Sequence, residues 1–180
     1  MKKTLSFLFV FLLFSSITFS QMPGIGVGGN LALPIGDWSD IANIGFGGTA
    51  SYEHKFSPNL LGTVTAGYLI WGGKEDFVGG SFDYSAIPIM AGVKYFFTPG
   101  SGFYAAGQAG FHLFTVNVEI DIFGFKTSSS ASETEFSFAA GAGYEIPVGP
   151  KGAVDLNAMF NVISNLNYLG FRVAYKFALN

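Results

Sequence analysis

Ile44-Gly45-Phe46-Gly47-Gly48-Thr49-Ala50-Ser51-Tyr52-Glu53-His54-Lys55-Phe56 alternates with a period of two. Ile44, Phe46, Gly48, Ala50, Tyr52, His54 and Phe56 fall on one side; Gly45, Gly47, Thr49, Ser51, Glu53 and Lys55 fall on the other. Successive side chains of an extended chain point to opposite faces. The stretch therefore reads as a strand with one greasy face and one small, polar face. The same reading predicts strands at 24–33, 44–56, 60–71, 84–97, 103–120, 134–146, 153–162 and 169–177. After Met22 no apolar run reaches the ~20 residues of a membrane helix, so eight strands organise the chain.

The connections between these strands differ in a regular way. The second, fourth and sixth are short and carry proline: Ser57-Pro58-Asn59, Thr98 to Gly102, and Pro147 to Gly152. The first, third, fifth and seventh read as mostly longer and polar, the fifth centred on Phe123 to Ser132. Short turns on one rim and long loops on the other are the asymmetry of bacterial membrane barrels, whose short turns face the periplasm. Both chain ends then fall on the periplasmic side.

Charge placement is an independent reading of the same map, because Arg or Lys facing lipid at the midplane costs ~2 to 4 kcal/mol. Glu53, Lys55, Lys94, Gln108, Glu145, Asp155, Arg172 and Lys176 all fall on the polar face and are expected to form a polar network inside the barrel. His54 is the exception on the apolar face, near a rim. Phe56, Tyr95, Phe97, Phe103, Tyr144, Tyr175 and Phe177 cluster at the strand ends joined by short turns, where rings suit a headgroup interface.

Composition fits one domain of this kind. The 180 residues are 17% aromatic and only 12% charged, with 25 glycines and no cysteine; a typical charged share is about a quarter. Zinc-thiolate sites, disulfides and thiol nucleophiles are excluded. Lys2 and Lys3, the apolar run Leu5 to Phe14, and Ser15, Ser16, Thr18 and Ser20 form the pattern of a signal peptide with cleavage after Ser20. Residues 1–20 are thus expected to direct export and residues 21–180 to form the barrel. A retained anchor is the alternative. Without Lys2 and Lys3 the chain carries 7 basic and 12 acidic residues, a net charge of −5, which makes nucleic acid an unsuitable partner.

Ile87-Pro88-Ile89-Met90-Ala91-Gly92-Val93-Lys94-Tyr95-Phe96-Phe97 resembles a strand of small outer-membrane β-barrel, porin-like proteins of the OmpA/OmpX-like kind. Asn30 to Asp40, with Leu33-Pro34 and Gly36-Asp37-Trp38-Ser39-Asp40, resembles their first strand and loop, and Gly170 to Phe177 their closing strand. The resemblance implies an antiparallel up-and-down transmembrane barrel in the outer membrane, in contact with its lipids and inserted by the barrel-assembly machinery. It implies a compartment more than an activity. Such proteins commonly end on an aromatic residue, whereas Ala178, Leu179 and Asn180 follow Phe177 here.

Few residues suggest chemistry. An eight-stranded barrel is just wide enough for side chains to fill it, so a plugged, monomeric barrel with a structural or cell-surface role is expected, not an open pore. A narrow channel is one alternative. Another is a secreted lipocalin-like barrel holding a small apolar ligand, in which the alternation has the opposite sign. His54 and His112 have no serine nearby in sequence on the same face and rim, although neighbouring strands can supply Ser and an acid. Gly24, Gly26, Gly28 and Gly29 precede no helix N-terminus that would cradle phosphate. No catalytic, cofactor-binding or metal-ligating residue is expected. Asp37, Asp40, Glu75, Asp76, Asp83, Glu119, Asp121, Glu133 and Glu135 are expected in the outer loops against Lys74 and Lys126, a surface suited to basic partners or divalent cations.

Overall fold

The computed structural model describes residues 23–74, 80–122, 125–164 and 166–179, and only the backbone of 80–81, 119–122 and 125–127. The expected signal peptide, Glu75 and Asp76 lie outside these residues. Eight strands form one closed antiparallel barrel: β1 (Gly24–Pro34), β2 (Gly45–Lys55), β3 (Leu60–Gly72), β4 (Gly80–Phe96), β5 (Phe103–Ile122), β6 (Phe125–Pro147), β7 (Gly152–Val162) and β8 (Tyr168–Ala178). Each strand pairs with its sequence neighbours, and β1 closes on β8 from Gly24↔Ala178 to Pro34↔Tyr168. No helix among the described residues is long and apolar enough to cross a membrane.

One expectation is corrected. The connection expected at 123–132 is largely strand: β5 and β6 continue as a long hairpin, paired up to Ile122↔Phe125. Asp121 and Glu133 consequently lie on strands, as do Asp83 on β4, Glu119 and Glu135, and not in loops. Serine and threonine dominate Thr127 to Thr134 and made the segment look like a loop, yet a hydroxyl-rich strand is stable when its backbone is paired and both faces meet water. A single helical turn, α1 (Trp38–Ile41), lies within the first long connection. Ser39 N–H donates to the Gly36 carbonyl at 2.8 Å, and Gly36 takes φ +70° to make that turn, a conformation that glycine adopts without a Cβ clash.

The structure fixes the sign of the alternation. Val173 is 60% exposed on the outside, whereas its neighbour Arg172 is 8% exposed inside. Phe46, Val64, Ile89, Phe138 and Phe171 share the outer surface, and Glu53, Lys94, Glu145 and Asp155 are buried in the lumen. A lipocalin-like arrangement is thereby overturned. The outer rings near the short turns, Phe56, Tyr95, Phe97, Phe103, Tyr144, Tyr175 and Phe177, are all exposed, and His54 stands among them with its ring 5.3 Å from that of Phe56.

Lipid tails accommodate changes of shape but not charge. Val173→Arg is expected to cost ~2 to 4 kcal/mol and to impair insertion, while Val173→Leu stays near the native stability; unfolding by urea in phospholipid bilayers measures both.

Candidate functional site

The side chains of the inner face close the lumen at two levels. Toward the short turns, five strands contribute charged groups to one ionic cluster. The Lys94 ammonium on β4 lies 2.5 Å from Glu53 on β2, 2.9 Å from Asp155 on β7 and 3.2 Å from Glu145 on β6. Lys176 on β8 reaches the same two glutamates, at 3.1 Å from Glu53 and 2.5 Å from Glu145. Two lysines and two glutamates thus form a ring in which each cation touches both anions. Arg172 completes the cluster by pairing with Asp155 at 3.2 Å, while its remaining nitrogens donate to Thr49 and Ser51 at 2.9 and 3.0 Å. Three carboxylates therefore meet three cations.

Local sequence explains why these groups fit. Tyr104 on β5 donates to Asp155 at 2.5 Å and places its ring 4.6 Å below the Lys94 ammonium, a geometry in which the ring face attracts the cation. Gly143 lies alongside, and a Cβ there would overlap the tyrosine hydroxyl. Leu61 and Phe96 pack with Tyr104 as an apolar floor toward the short turns.

Two residues expected in this network stand apart from it. Lys55 is half-buried at the end of β2, and no ion pair joins it among the described residues. Its alternation is correct, but the strand ends there and its long side chain reaches the rim water. Gln108 faces the lumen higher up and donates to Thr63 and Thr65 at 3.3 and 3.4 Å. Tyr104, Thr49 and Ser51, which sequence reasoning left out, are the missing partners; each sits at an inward position of its strand, which was the signal available.

Toward the long connections the lumen is closed by rings. α1 folds Trp38 over the mouth against Trp71, with ring centroids 4.8 Å apart, and against Phe114 and Tyr168, each at 6.1 Å. Trp71 donates to the Ala32 carbonyl at 3.2 Å and lies over Gly45, where a Cβ would overlap the indole. Beneath this cap, His112 is fully buried between Ser137, 2.8 Å from Nδ1, and Tyr168, 2.9 Å from Nε2. The Ser137 hydroxyl donates to the Met90 sulfur at 3.2 Å. All three bonds form together when Nδ1–H donates to Ser137 and Tyr168 donates to Nε2. In that arrangement the imidazole does not draw a proton from the serine, as nucleophilic catalysis requires, and both residues are 0% exposed.

Between the two closures is a cavity of about 80 Å³ lined by residues including Thr49, Thr63, Gln108, Asn157 and Asn161. Ligand pockets measure ~300 to 1,000 Å³, several times this space. Glu53, Glu145 and Asp155 bring carboxylate oxygens within 4.8 Å of one another. The Lys94 ammonium already occupies the position a metal ion would need.

The model of the outer membrane protein β-barrel domain family matches residues 6–177. The chain belongs to that family. It is accordingly an outer-membrane β-barrel protein, in contact with outer-membrane lipid. Among solved structures it is similar to Ail, the attachment invasion locus protein of Yersinia pestis, at 14% identity over 89% of this chain and 100% of that one, with a TM-score of 0.63. The same protein in complex with the heparin analogue sucrose octasulfate matches at 13% identity over 87% and 97%, with a TM-score of 0.62. Neisserial surface protein A matches at 15% identity over 87% and 97%, with a TM-score of 0.52. No curated protein matches the chain. At these identities the structural likenesses establish the shared barrel fold.

Removing one member of a buried ionic cluster leaves its partners uncompensated, at a cost of ~3 to 5 kcal/mol. Lys94→Met is expected to lose stability of that order in guanidinium unfolding from detergent micelles. Adding Glu53→Gln leaves the neutral pairs Lys176–Glu145 and Arg172–Asp155 and should recover part of the loss, a non-additivity that a double-mutant cycle reads directly. Gln108→Ala, with only two long hydrogen bonds, should cost less than about 1.5 kcal/mol.

Proposed function

We propose that this protein is a closed outer-membrane barrel whose role is performed by its cell-surface elements, not by transport through its lumen. The observation that carries this reading is the double closure, charged at one level and aromatic at the other. Export by residues 1–20, cleavage after Ser20, insertion by the barrel-assembly machinery, periplasmic termini and a monomeric state complete the proposal.

The β5–β6 hairpin is the element best suited to act outside. On β6 the outward side chains are apolar from Ile146 to Phe136 and then become Thr134, Ser132, Ser130 and Ser128. A membrane strand needs ~9 to 11 residues to cross, so the lipid band ends near Phe136 and the hydroxyl-rich remainder stands beyond it. Exposed Asp37, Asp40, Asp83 and Glu133 lie at the same end, against Lys74. The heparin-analogue chemistry named for Ail would meet repulsion on this acidic surface; a basic partner fits it.

Catalysis has little support. The Ser137–His112 contact is sealed from substrate. In liposome-swelling assays with sugars, the purified protein is expected to stay at background. Rapid swelling would overturn the closed-barrel reading.

Topology is tested separately, and the absence of native cysteine makes the labelling clean. A membrane-impermeant maleimide added to intact cells should label Ser132→Cys on the hairpin. Lys151→Cys in a short turn should label only after the outer membrane is permeabilised. The opposite pattern would invert the barrel.

A further inference from the structure

Charge is divided unevenly between the two ends of the barrel. Toward the long connections, Asp37, Asp40, Asp83 and Glu133 are exposed against Lys74. At the short-turn rim the order is reversed: among the described residues, His54 and Lys151 are exposed and Lys55 half-buried, and no exposed acidic side chain accompanies them. The acids closest to this rim along the strands, Glu53 and Glu145, are buried in the lumen and already paired with Lys94 and Lys176. The rim is therefore basic.

The strand register puts the three basic groups on one arc of that rim. Gly152, which follows Lys151, pairs with Phe177 on β8, and Gly24 on β1 pairs with both Ala178 and Glu53. Lys151 and the neighbours His54 and Lys55 thus bracket the seam where β8 closes on β1. Lys55 pairs with Leu61, a member of the apolar floor, so its stem lies beside that floor while the ammonium reaches water at the rim. His54 turns to the lipid side. On that same side, one step farther into the membrane, Phe177, Ile25 and Tyr52 stand in register as a row of exposed side chains.

We propose that this arc binds the headgroup of an anionic glycerophospholipid, its phosphate held by His54 and Lys55, with Lys151 adding to the attraction. A phosphodiester carries a negative charge and only accepts hydrogen bonds, which an imidazole N–H and two ammonium groups supply. The acyl chains then lie over the row of Phe177, Ile25 and Tyr52. An acidic soluble protein would use the cations and leave that row unused; basic groups directly above a lipid-facing apolar row match both halves of an amphiphile. The proposal rests on the reading that the short turns face the periplasm, where the leaflet is built of phospholipid.

The test places a fluorescent reporter at the site, in the full protein reconstituted into phosphatidylcholine bilayers containing a minor share of phosphatidylglycerol. The native Trp38 and Trp71 are buried in the cap and do not meet lipid. Tyr52→Trp adds an indole beside His54, and Phe103→Trp adds one at the same rim on β5, away from the basic arc. Quenching by brominated phosphatidylglycerol, compared with brominated phosphatidylcholine, measures how far each lipid is enriched at each reporter. A lysine near an anionic headgroup strengthens binding by about fivefold at most in moderate salt, so phosphatidylglycerol should be enriched about threefold or more at Tyr52→Trp and not at Phe103→Trp. Adding His54→Gln, Lys55→Gln and Lys151→Gln together should abolish the enrichment, while unchanged heat-modifiable migration in gels shows that the barrel still folds. Equal enrichment at both reporters, none at either, or enrichment that survives the three glutamines would overturn the proposal. The reporter reads its local lipid whichever way the barrel is inserted. Failure of the quenching test therefore removes the lipid site alone, whereas labelling of Lys151→Cys in intact cells would overturn the topology on which the periplasmic placement rests.

Discussion

In hydrocarbon every backbone N–H and C=O must find a partner within the protein, and a sheet achieves this only by closing on itself. The pairing of β1 with β8 over eleven residue pairs, Gly24↔Ala178 to Pro34↔Tyr168, is that closure. Every other feature follows from it. Once the sheet is a cylinder, its two faces meet different solvents, and the strict alternation in each strand becomes a sorting of side chains between lipid and lumen. Val173 and Arg172 are neighbours in the chain and lie in opposite environments.

Eight strands leave a lumen that side chains can fill, and this chain fills it with two kinds of chemistry. The ionic cluster draws its charges from five strands, so its members hold the barrel wall across its diameter and not merely between neighbours. Burying charges is costly unless each is paired, and here the three anions and three cations are matched in number and in geometry. The aromatic cap works differently. It depends on one turn of helix to carry Trp38 inward and on Gly45 to leave room for Trp71. Between them, the buried His112 is held by Ser137 and Tyr168, polar contacts that fasten β5 to β6 and β8 beneath the cap.

Beyond the lipid band the constraint lapses. Water satisfies backbone groups as well as a neighbouring strand does, so β4, β5 and β6 continue as a sheet without β7. The unpaired edge on β6 is a consequence of unequal strand lengths, and it lies beyond the hydrocarbon. Its hydroxyl and carboxylate faces are those of a surface exposed to water on both sides.

The period-two alternation was enough to read eight strands, most of their limits, the barrel class and the shared face of Glu53, Lys94, Glu145, Asp155, Arg172 and Lys176, because alternation is a local consequence of extended backbone. The same logic placed Lys55 on that face but had no means of knowing that β2 ends there and leaves the side chain at the rim. It also read Thr127 to Ser132 as a loop, since hydroxyl-rich composition resembles a loop wherever pairing supplies the order. Which charges touch, that Tyr104 and Thr49 join them, that Ser137 reaches His112 across 25 positions, and that Trp38 caps the mouth were decided by tertiary structure alone. So was the direction of the alternation, which the sequence leaves open because a barrel turned inside out has the same period. The closure of β1 on β8 sets the diameter and the stagger of the strands, and only those two quantities determine which inward side chains meet.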